Sequence, residues 1–310
     1  TDLHRVHLFD VVMQYRAIFA DDSSASDDGG GGGGDGGGLG AGSGRSGGDG
    51  GLLYSWSANR VSAYLHELET ALPRVEEGGA LASVMEHCHY CGTSLARVGL
   101  DFRALLPPLF ASAAGNIFTR AVDGAASDFE RVVEQHRWAA SSAASSSAAA
   151  AALAAEKQKK EKAGGEGGED DDAARAGGGG GGGGGGALAP PYALLEHVPV
   201  AALTNGVLAA FNDLRHCALP SLRAPLATKL HECVARAAAA LVRVDATRGD
   251  LTEGSGQRVA FVGACKALTD VAAPYLASCY GRLFKGGERL VDAQGAVAGL
   301  REALLAKMSD

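Results

Sequence analysis

The apolar residues of this chain recur in steps of three and four along several long segments. In the clearest segment they are Leu81, Val84, Cys88, Cys91, Leu95, Val98, Phe102 and Leu105. Positions spaced in this way lie on one face of an α-helix. Pro107 and Pro108 follow, and proline removes a backbone donor and restricts the residue before it. The pattern predicts a helix over residues 80–106, roughly 40 Å long at about 1.5 Å per residue.

The same spacing recurs in six further segments. Their predicted apolar faces are Val61, Tyr64, Leu65, Leu68 and Leu72; Phe110, Ala114, Ile117, Ala121, Ala125, Phe129 and Val132; Leu203, Val207, Phe211 and Leu214; Leu226, Leu230, Cys233, Ala237, Leu241 and Val244; Phe261, Cys265, Leu268, Ala272, Tyr275, Cys279 and Leu283; and Val297, Leu300, Leu304 and Met308. The alternation that is typical of strands is nearly absent. The sequence therefore predicts an all-α fold, an elongated antiparallel helical bundle or rod with short turns between long helices.

Two segments carry no apolar pattern. Residues 20–51 are rich in glycine, and residues 139–190 combine an Ala/Ser run, charged residues and polyglycine. Segments of this composition cannot bury enough apolar surface to offset the entropy of ordering them. We predict two disordered insertions that act as flexible linkers. The foldable regions are then 1–19, the end of an upstream helical region, and 52–138 and 191–310, the two halves of a helical bundle.

Charge argues against a nucleic-acid partner, and hydropathy argues against a segment that spans a membrane. The net charge is −8, and no basic cluster suited to nucleic acid is visible. The basic run "KQKKEK", 157–162, lies inside the second insertion. No apolar stretch approaches the ~20 residues that span a bilayer, and no signal peptide is present. The chain begins at Thr1 rather than Met, so we interpret it as a fragment that lacks an N-terminal part.

The hexapeptide "HCHYCG", residues 87–92, is the stretch that most resembles a chemical site. It places His87 and His89 around Cys88, with Cys91 three residues further on. On a helix the two histidines point about 100° to either side of Cys88, so the four side chains diverge. A thioredoxin-like redox pair requires a βαβ setting, which is missing. We interpret both cysteines as small hydrophobic residues of a packing face.

No second pair of ligands completes a zinc site. A structural zinc ion takes four ligands, usually two spaced pairs. His216 and Cys217 are adjacent, and His231 and Cys233 are isolated. The six cysteines are spread thinly over a large chain, a distribution more typical of reduced cytosolic thiols than of a secreted disulfide scaffold. We predict no metal-binding residue.

Catalytic motifs occur only in low-complexity sequence. "GRSGG" at 44–48 satisfies G-x-S-x-G, and polyglycine satisfies G-x-G-x-x-G, but neither has the strand-turn-helix context that gives such motifs meaning. We predict no catalytic residue, no cofactor-binding residue and no cofactor. The sequence does not indicate an enzyme.

Polar and small residues within the helices leave alternatives open. Arg97, Asp101 and Arg103 in "RVGLDFR" mark either a partner-binding surface or a solvated face, as do Asn212, Asp213 and Arg215 in "FNDLR". We favour the solvated face, with weak ion pairs of about 0.3 kcal/mol. Gly92, Ala96 and Gly99 indicate either the close approach of a neighbouring helix or simple tolerance of small residues.

Four segments resemble the subunit 8 family of the conserved oligomeric Golgi complex. They are "FDVVMQYRAIF" (9–19), "ELETALPRVEEGGALASVMEHCHYCGTSLARVGLDFRALLPPLF" (67–110), "VLAAFNDLRHCAL" (207–219) and "APYLASCYGRLF" (273–284). The most specific piece is "RVGLDFRALLPPLF". The resemblance covers essentially all of the foldable chain and neither insertion.

The resemblance implies a non-catalytic role. Members of the family are helical-rod subunits of a vesicle tether that acts in retrograde transport within the Golgi and maintains glycosylation. The implied partners are subunits 5, 6, 7 and 1 of the same complex, and SNAREs, Rab GTPases and golgins. The implied location is peripheral, on the cytosolic face of the Golgi membrane. The resemblance implies that this chain lacks the family's N-terminal helices, which are implicated in pairing with subunit 1, and that the glycine-rich insertions are atypical of the family.

Three hypotheses follow from the sequence. The favoured one is a structural tethering subunit, for which exposed faces of packed helices provide docking sites. The second is another helical adaptor or scaffold of a trafficking complex. The third is a metal or redox enzyme centred on Cys88 and Cys91.

Overall fold

The structure, a computed structural model, describes residues 2–19, 48–138, 190–249, 251–252 and 254–309. Within these ranges every long element is a helix and no strand occurs, so the predicted all-α class is confirmed. The helices are α1 (Asp2–Phe19), α2 (Gly48–Ala71), α3 (Gly78–Ala96), α4 (Leu106–Gln135), α5 (Val198–Leu214), α6 (Arg223–Thr247), α7 (Gly256–Leu283) and α8 (Ala293–Ser309).

The chain divides into two compact units, Thr1–Ile117 and Phe118–Asp310. The division falls within α4, whereas the domain boundaries predicted from composition follow the two insertions. Those boundaries stay a prediction, because nearly all of 20–51 and 139–190 lies outside the described residues. At one edge the helical structure reaches further than expected, since α2 begins at Gly48.

In the first unit, α1 packs against α2 and α3. Leu8 and Val12 of α1 are buried, and so are most members of the predicted faces of α2 and α3. The rings of His7 and Trp56 meet edge to face at 6.4 Å. The Arg16 guanidinium donates a hydrogen bond of 2.9 Å to the Val98 carbonyl, where α3 has just ended.

The end of α3 differs from the prediction. Instead of continuing to residue 106, the helix stops at Ala96 and the chain turns through Gly99, whose φ is +83°. The Gly99 N–H donates to the Ala96 carbonyl and the Leu100 N–H to the Leu95 carbonyl, both at 3.0 Å. This is a Schellman motif, in which a left-handed glycine satisfies the last carbonyls of a helix. Gly99 therefore ends α3, and the apolar spacing, which continues past it through Val98, Phe102 and Leu105, concealed this.

Pro107 and Pro108 begin a helix rather than end one. They lie in the first turn of α4, where the missing N–H would have no partner in any case. Leu105, predicted as the last residue of the buried face, lies in a short 3-10 turn and is 54% exposed. A proline pair after an apolar run is therefore ambiguous between a stop and a start.

In the second unit, α8 packs on α6, and α7 contacts both α5 and α8. Every predicted apolar position of α5 and α6 is buried, so these two faces are confirmed. On α4 the buried face passes through Phe118, Val122 and Val133 instead of the predicted Ala121, Ala125 and Val132, which are half-buried. Alanine occurs on both faces of this helix and so does not mark the core.

α7 contains a π-helical turn, Ala267–Ala272, between two α-helical parts. The Ala273 N–H donates to the Leu268 carbonyl, five residues back. The next N–H in such a pattern would come from residue 274, which is a proline. A π-turn adds one residue, and the downstream face moves accordingly. Leu276 and Tyr280 are buried in place of the predicted Tyr275 and Cys279.

Among the described residues, α7 is long and apolar enough, by length and composition alone, to cross a membrane. The prediction that no stretch approaches this length is corrected to that extent. Half of its most apolar window is buried inside the protein, as in a core helix, which satisfies the same test. Its Asp270 pairs with Arg301 at 2.9 Å, and its Arg258 pairs with Asp245. Charged partners of this kind are typical of a helix within a bundle.

Candidate functional site

The two cysteines of "HCHYCG" lie in the core of the first unit. Cys88 is 0% and Cys91 1% exposed. The Cys88 sulfur lies 3.1 Å from the Tyr64 hydroxyl, and the Tyr64 ring meets Phe102 edge to face at 5.6 Å. Burial raises the pKa of the Cys88 thiol, although the Tyr64 hydrogen bond acts in the opposite direction. A raised pKa keeps the thiol protonated at neutral pH, and a protonated thiol is a poor nucleophile and metal ligand.

The histidines of the hexapeptide point away from the cysteines. His87 and His89 are exposed, and His87 Nδ1 lies 2.7 Å from the Ser83 carbonyl oxygen one turn back. Tyr90 is also exposed and lies under the Arg5 guanidinium, 5.4 Å from the ring centre. The hexapeptide is thus divided between a buried thiol face and a solvated histidine face.

The other histidine–cysteine pairs are separated in the same way. Cys217 is buried with its sulfur 3.8 Å from the Asp213 carbonyl, whereas His216 is exposed. Cys233 is buried against the Val122 carbonyl at 3.7 Å, and its pKa is raised to about 12 by burial. His231 instead faces the Asp292 carbonyl at 2.9 Å. Among the described residues, no three His, Cys, Asp or Glu side chains converge as a metal site would require.

The "RVGLDFR" segment forms a local ion pair that is reinforced by hydrogen bonds. Arg103 pairs with Asp101 at 2.7 Å, and its Nε and backbone N–H donate to the same carboxylate. Hydrogen bonds from Arg103 lower the pKa of Asp101 to about 2. The aliphatic part of Arg103 lies directly over Gly92, where an added Cβ would collide with it. The small residue at 92 thus admits a side chain from the segment after α3, rather than a neighbouring helix.

The "FNDLR" residues Asn212, Asp213 and Arg215 are all exposed at the end of α5. Arg215 Nε donates to the neighbouring His216 ring at 3.0 Å. The polar residues of this segment therefore lie on the surface, which is compatible with both a partner-binding surface and a solvated face.

A polar cluster that the sequence did not reveal joins α4 to α6. Arg236 donates to Glu130 at 3.2 Å, to Asp123 at 3.3 Å and to the Ser127 hydroxyl at 3.1 Å. Arg243 adds a longer ion pair with Glu130 at 4.0 Å. These residues are more than a hundred positions apart along the chain, so no spacing rule connects them. Their arrangement fixes two helices against each other.

An open groove of about 720 Å³ lies beside the last turns of α7. It is lined by small residues of α7 and by two cations and two anions: Pro274, Ala277, Ser278 and Gly281, then Arg282, Arg289, Glu288 and Asp292. Asp292 Oδ1 already accepts the Gly295 N–H at 2.8 Å. The groove offers no pair of groups arranged for acid–base or nucleophilic chemistry.

Comparison with known proteins gives a consistent result. Residues 1–127 match the Dor1-like family. Conserved oligomeric Golgi complex subunit 8 of Mus musculus is 29% identical over 280 residues, covering 90% of this chain and 38% of the relative. The Drosophila melanogaster protein of the same name is 29% identical over 283 residues, covering 91% of this chain and 43% of the relative.

A third relative carrying that name, from Dictyostelium discoideum, is 31% identical over 234 residues, which cover 76% of this chain and 25% of the relative. No solved structure matches the chain. The chain thus spans about two fifths, or less, of the length of these relatives. The resemblance read from the four segments is confirmed: this chain is similar to conserved oligomeric Golgi complex subunit 8 across nine tenths of its length, and its first 127 residues match the Dor1-like family.

Proposed function

We propose that this chain is part of a non-catalytic subunit of a Golgi vesicle-tethering complex that acts in retrograde transport within the Golgi and maintains glycosylation. The observation that carries the proposal is similarity to subunit 8 of the conserved oligomeric Golgi complex over 90% of the chain. The second hypothesis, another helical adaptor, has no comparable similarity in its favour.

The structure supports a role in assembly. The side chains that first suggested chemistry, Cys88 and Cys91, fill the core of a helical unit. Polar residues such as Asn212, Asp213 and Arg215 are exposed on helix ends. Packed helices with exposed polar faces are suited to holding partners at fixed positions, since a helix face is a common docking element.

The partners follow from the same proposal. They are the other subunits of the complex, namely subunits 5, 6, 7 and 1, with SNAREs, Rab GTPases and golgins engaged through the assembled complex. The chain is then held on the cytosolic face of the Golgi membrane as a peripheral component.

Affinity capture of a tagged chain from cells tests the proposal. The expected result is recovery of the other complex subunits, identified by mass spectrometry, and fluorescence at Golgi rims. Leu241→Asp places a charge at a fully buried position of α6 and should abolish capture by unfolding the second unit. Ala239→Asp, on the exposed face of the same helix, is the matched control and should retain it.

Recovery of the wild-type chain as a lone cytosolic monomer, in cells that contain the complex, would contradict the proposal. Recovery with the subunits of a coat or of a different tether would support the helical-adaptor hypothesis instead.

A further inference from the structure

The second unit differs in charge from the chain as a whole. The chain carries −8, yet residues 118–138 and 190–310 contain sixteen lysines and arginines against fifteen aspartates and glutamates, a net charge of +1. Several of its acids are already engaged in internal ion pairs, among them Asp123, Glu130, Asp245 and Asp270. The acidic excess of the chain therefore lies outside these residues.

Five of these cations belong to one end of the unit. α5 and α7 end there, and α6 and α8 begin there. The cations lie in the last turns, first turns and connections of these helices, and all five are exposed: Arg215, Arg223, Arg282, Lys285 and Arg289. We call this set the basic end.

Direct contacts show that these segments are neighbours. The Arg223 side chain donates to the Gly286 carbonyl at 3.1 Å, joining the start of α6 to the turn after α7. The Tyr280 hydroxyl donates to the Arg223 carbonyl at 2.5 Å. Phe211, one turn before the end of α5, lies 6.1 Å from the Tyr280 ring. The ends of α5 and α7 and the start of α6 therefore meet.

Helix stability does not account for this distribution. Cations stabilise the C-terminus of a helix and are unfavourable at its N-terminus. Arg215 and Arg282 are at helix C-termini and fit that rule. Arg223 is the first residue of α6, and Arg289 lies in the short turn just before α8, so both oppose the helix dipole.

Acidic residues at the same end are fewer. They are Asp213, Glu288 and Asp292, and the last of these accepts the Gly295 N–H. Leu290 follows Arg289 and is 44% exposed. Exposed cations around an accessible leucine are the chemistry by which a protein surface adheres to anionic lipid headgroups.

We propose that the basic end docks on the surface of an anionic lipid bilayer. The cations belong to several neighbouring helix ends and connections, so more than one of them can reach a membrane surface. An acidic peptide is the less favoured partner, because the adjacent groove is open and offers a peptide no enclosed cleft, whereas a bilayer surface needs none. This inference builds on the proposed peripheral location at the Golgi and adds direct lipid contact by this chain.

Vesicle sedimentation with the purified full chain tests the inference. Binding is expected to vesicles of phosphatidylcholine with phosphatidylserine, to be absent with phosphatidylcholine alone, and to weaken as salt is raised. The variant Arg215→Glu, Lys285→Glu, Arg289→Glu should reduce binding by about tenfold or more. The control Arg131→Glu, Arg137→Glu, Lys266→Glu changes the net charge equally at other exposed positions of the unit and should bind nearly as the wild type does.

Three results would overturn the inference. They are no wild-type binding to phosphatidylserine vesicles, an equal loss in both triple variants, and binding to a polyglutamate peptide in place of the vesicles. Circular dichroism of each variant separates a loss of binding from a loss of fold. Because vesicle binding by the purified chain and subunit capture from cells are independent measurements, failure of one is distinguishable from failure of the other.

Discussion

At the scale of single residues, Gly99 and Gly92 lie on one short stretch of chain but are constrained for different reasons. Gly99 adopts a left-handed conformation that a side chain disfavours. Gly92 is helical, and Arg103 occupies the space that a Cβ would need. The sequence shows two small residues at helical spacing, and only the backbone turn distinguishes their roles. The end of α3 was therefore not predictable from periodicity.

Gly99→Ala should destabilise the first unit by about 1–2 kcal/mol, since an L-residue in the left-handed region costs that amount. Gly79→Ala is the matched control in the first turn of the same helix, where no atom lies within 4 Å of an added Cβ. It should be neutral or stabilising by about 0.5 kcal/mol. Urea denaturation in a Trp138→Phe background measures the difference, because Trp56 then reports on the first unit alone. Equal effects of the two changes would refute the Schellman account.

At the scale of elements, the buried faces of α5 and α6 were predictable from the sequence, whereas on α7 only the part of the face before the π-turn was. An uninterrupted helix that buries one face shows its period in the sequence. In α7 the residues before the π-turn, such as Phe261 and Cys265, follow the predicted face, whereas Tyr275 and Cys279 do not. The same limit applies to the Arg236 cluster, whose partners on α4 lie more than a hundred residues away. Spacing rules describe neighbours along a helix and not neighbours across a bundle.

The π-turn has a partner on α8. Because Pro274 has no N–H, the Thr269 carbonyl lacks the backbone donor that a π-turn would supply. The Arg301 guanidinium donates to this carbonyl at 3.3 Å and to the Asp270 carboxylate at 2.9 Å. The Arg301 side chain thus donates a hydrogen bond to the Thr269 carbonyl of α7 and also attaches α8 to this helix.

Arg301→Ala should therefore destabilise the second unit by about 1 kcal/mol. In a Pro274→Ala background the cost should be smaller, because residue 274 regains an N–H for the Thr269 carbonyl. Urea denaturation of the four proteins of this cycle, with Trp56→Phe so that Trp138 reports, gives the coupling. An identical cost of Arg301→Ala in both backgrounds would show that the carbonyl contact contributes nothing.

At the scale of the whole molecule, the class of fold and the family were accessible from sequence, whereas the surfaces were not. The chain's acidic balance misrepresents its second unit, because net charge is an average over segments that differ. The burial of two histidines of that unit, His136 and His197, could not be read from composition either, and both are half-buried. His136 meets Trp138 edge to face at 4.7 Å, and His197 packs against Gly263 of α7.

The second unit should lose stability as the pH falls. Burial, with the nearby Arg248 charge, lowers the pKa of His136, and burial lowers the pKa of His197 against the opposing effect of Glu196. A lowered pKa disfavours protonation in the folded state, so the stabilisation is complete above the ordinary histidine pKa of about 6.5 and declines below it.

Urea midpoints measured from pH 8 down to about pH 5, again with Trp138 as the reporter, should decline at the acid end. His197→Gln should flatten that decline, whereas His216→Gln, at an exposed position of the same unit, should leave it unchanged. A midpoint that is constant over this range would contradict the effect of burial.

The surplus residue of the π-turn has a consequence for every comparison of α7 with a related helix. An alignment that runs through Ala267–Ala272 without a gap pairs Leu276 and Tyr280 with outward positions of any relative whose helix is regular there. A regular α-helix through the same residues, without the π-turn, would rotate all that follows by about 100° and would present Tyr275, Cys279 and Leu283 to the interior instead. The orientation of the whole distal half of this helix thus depends on whether one turn accommodates its surplus residue as a π-turn.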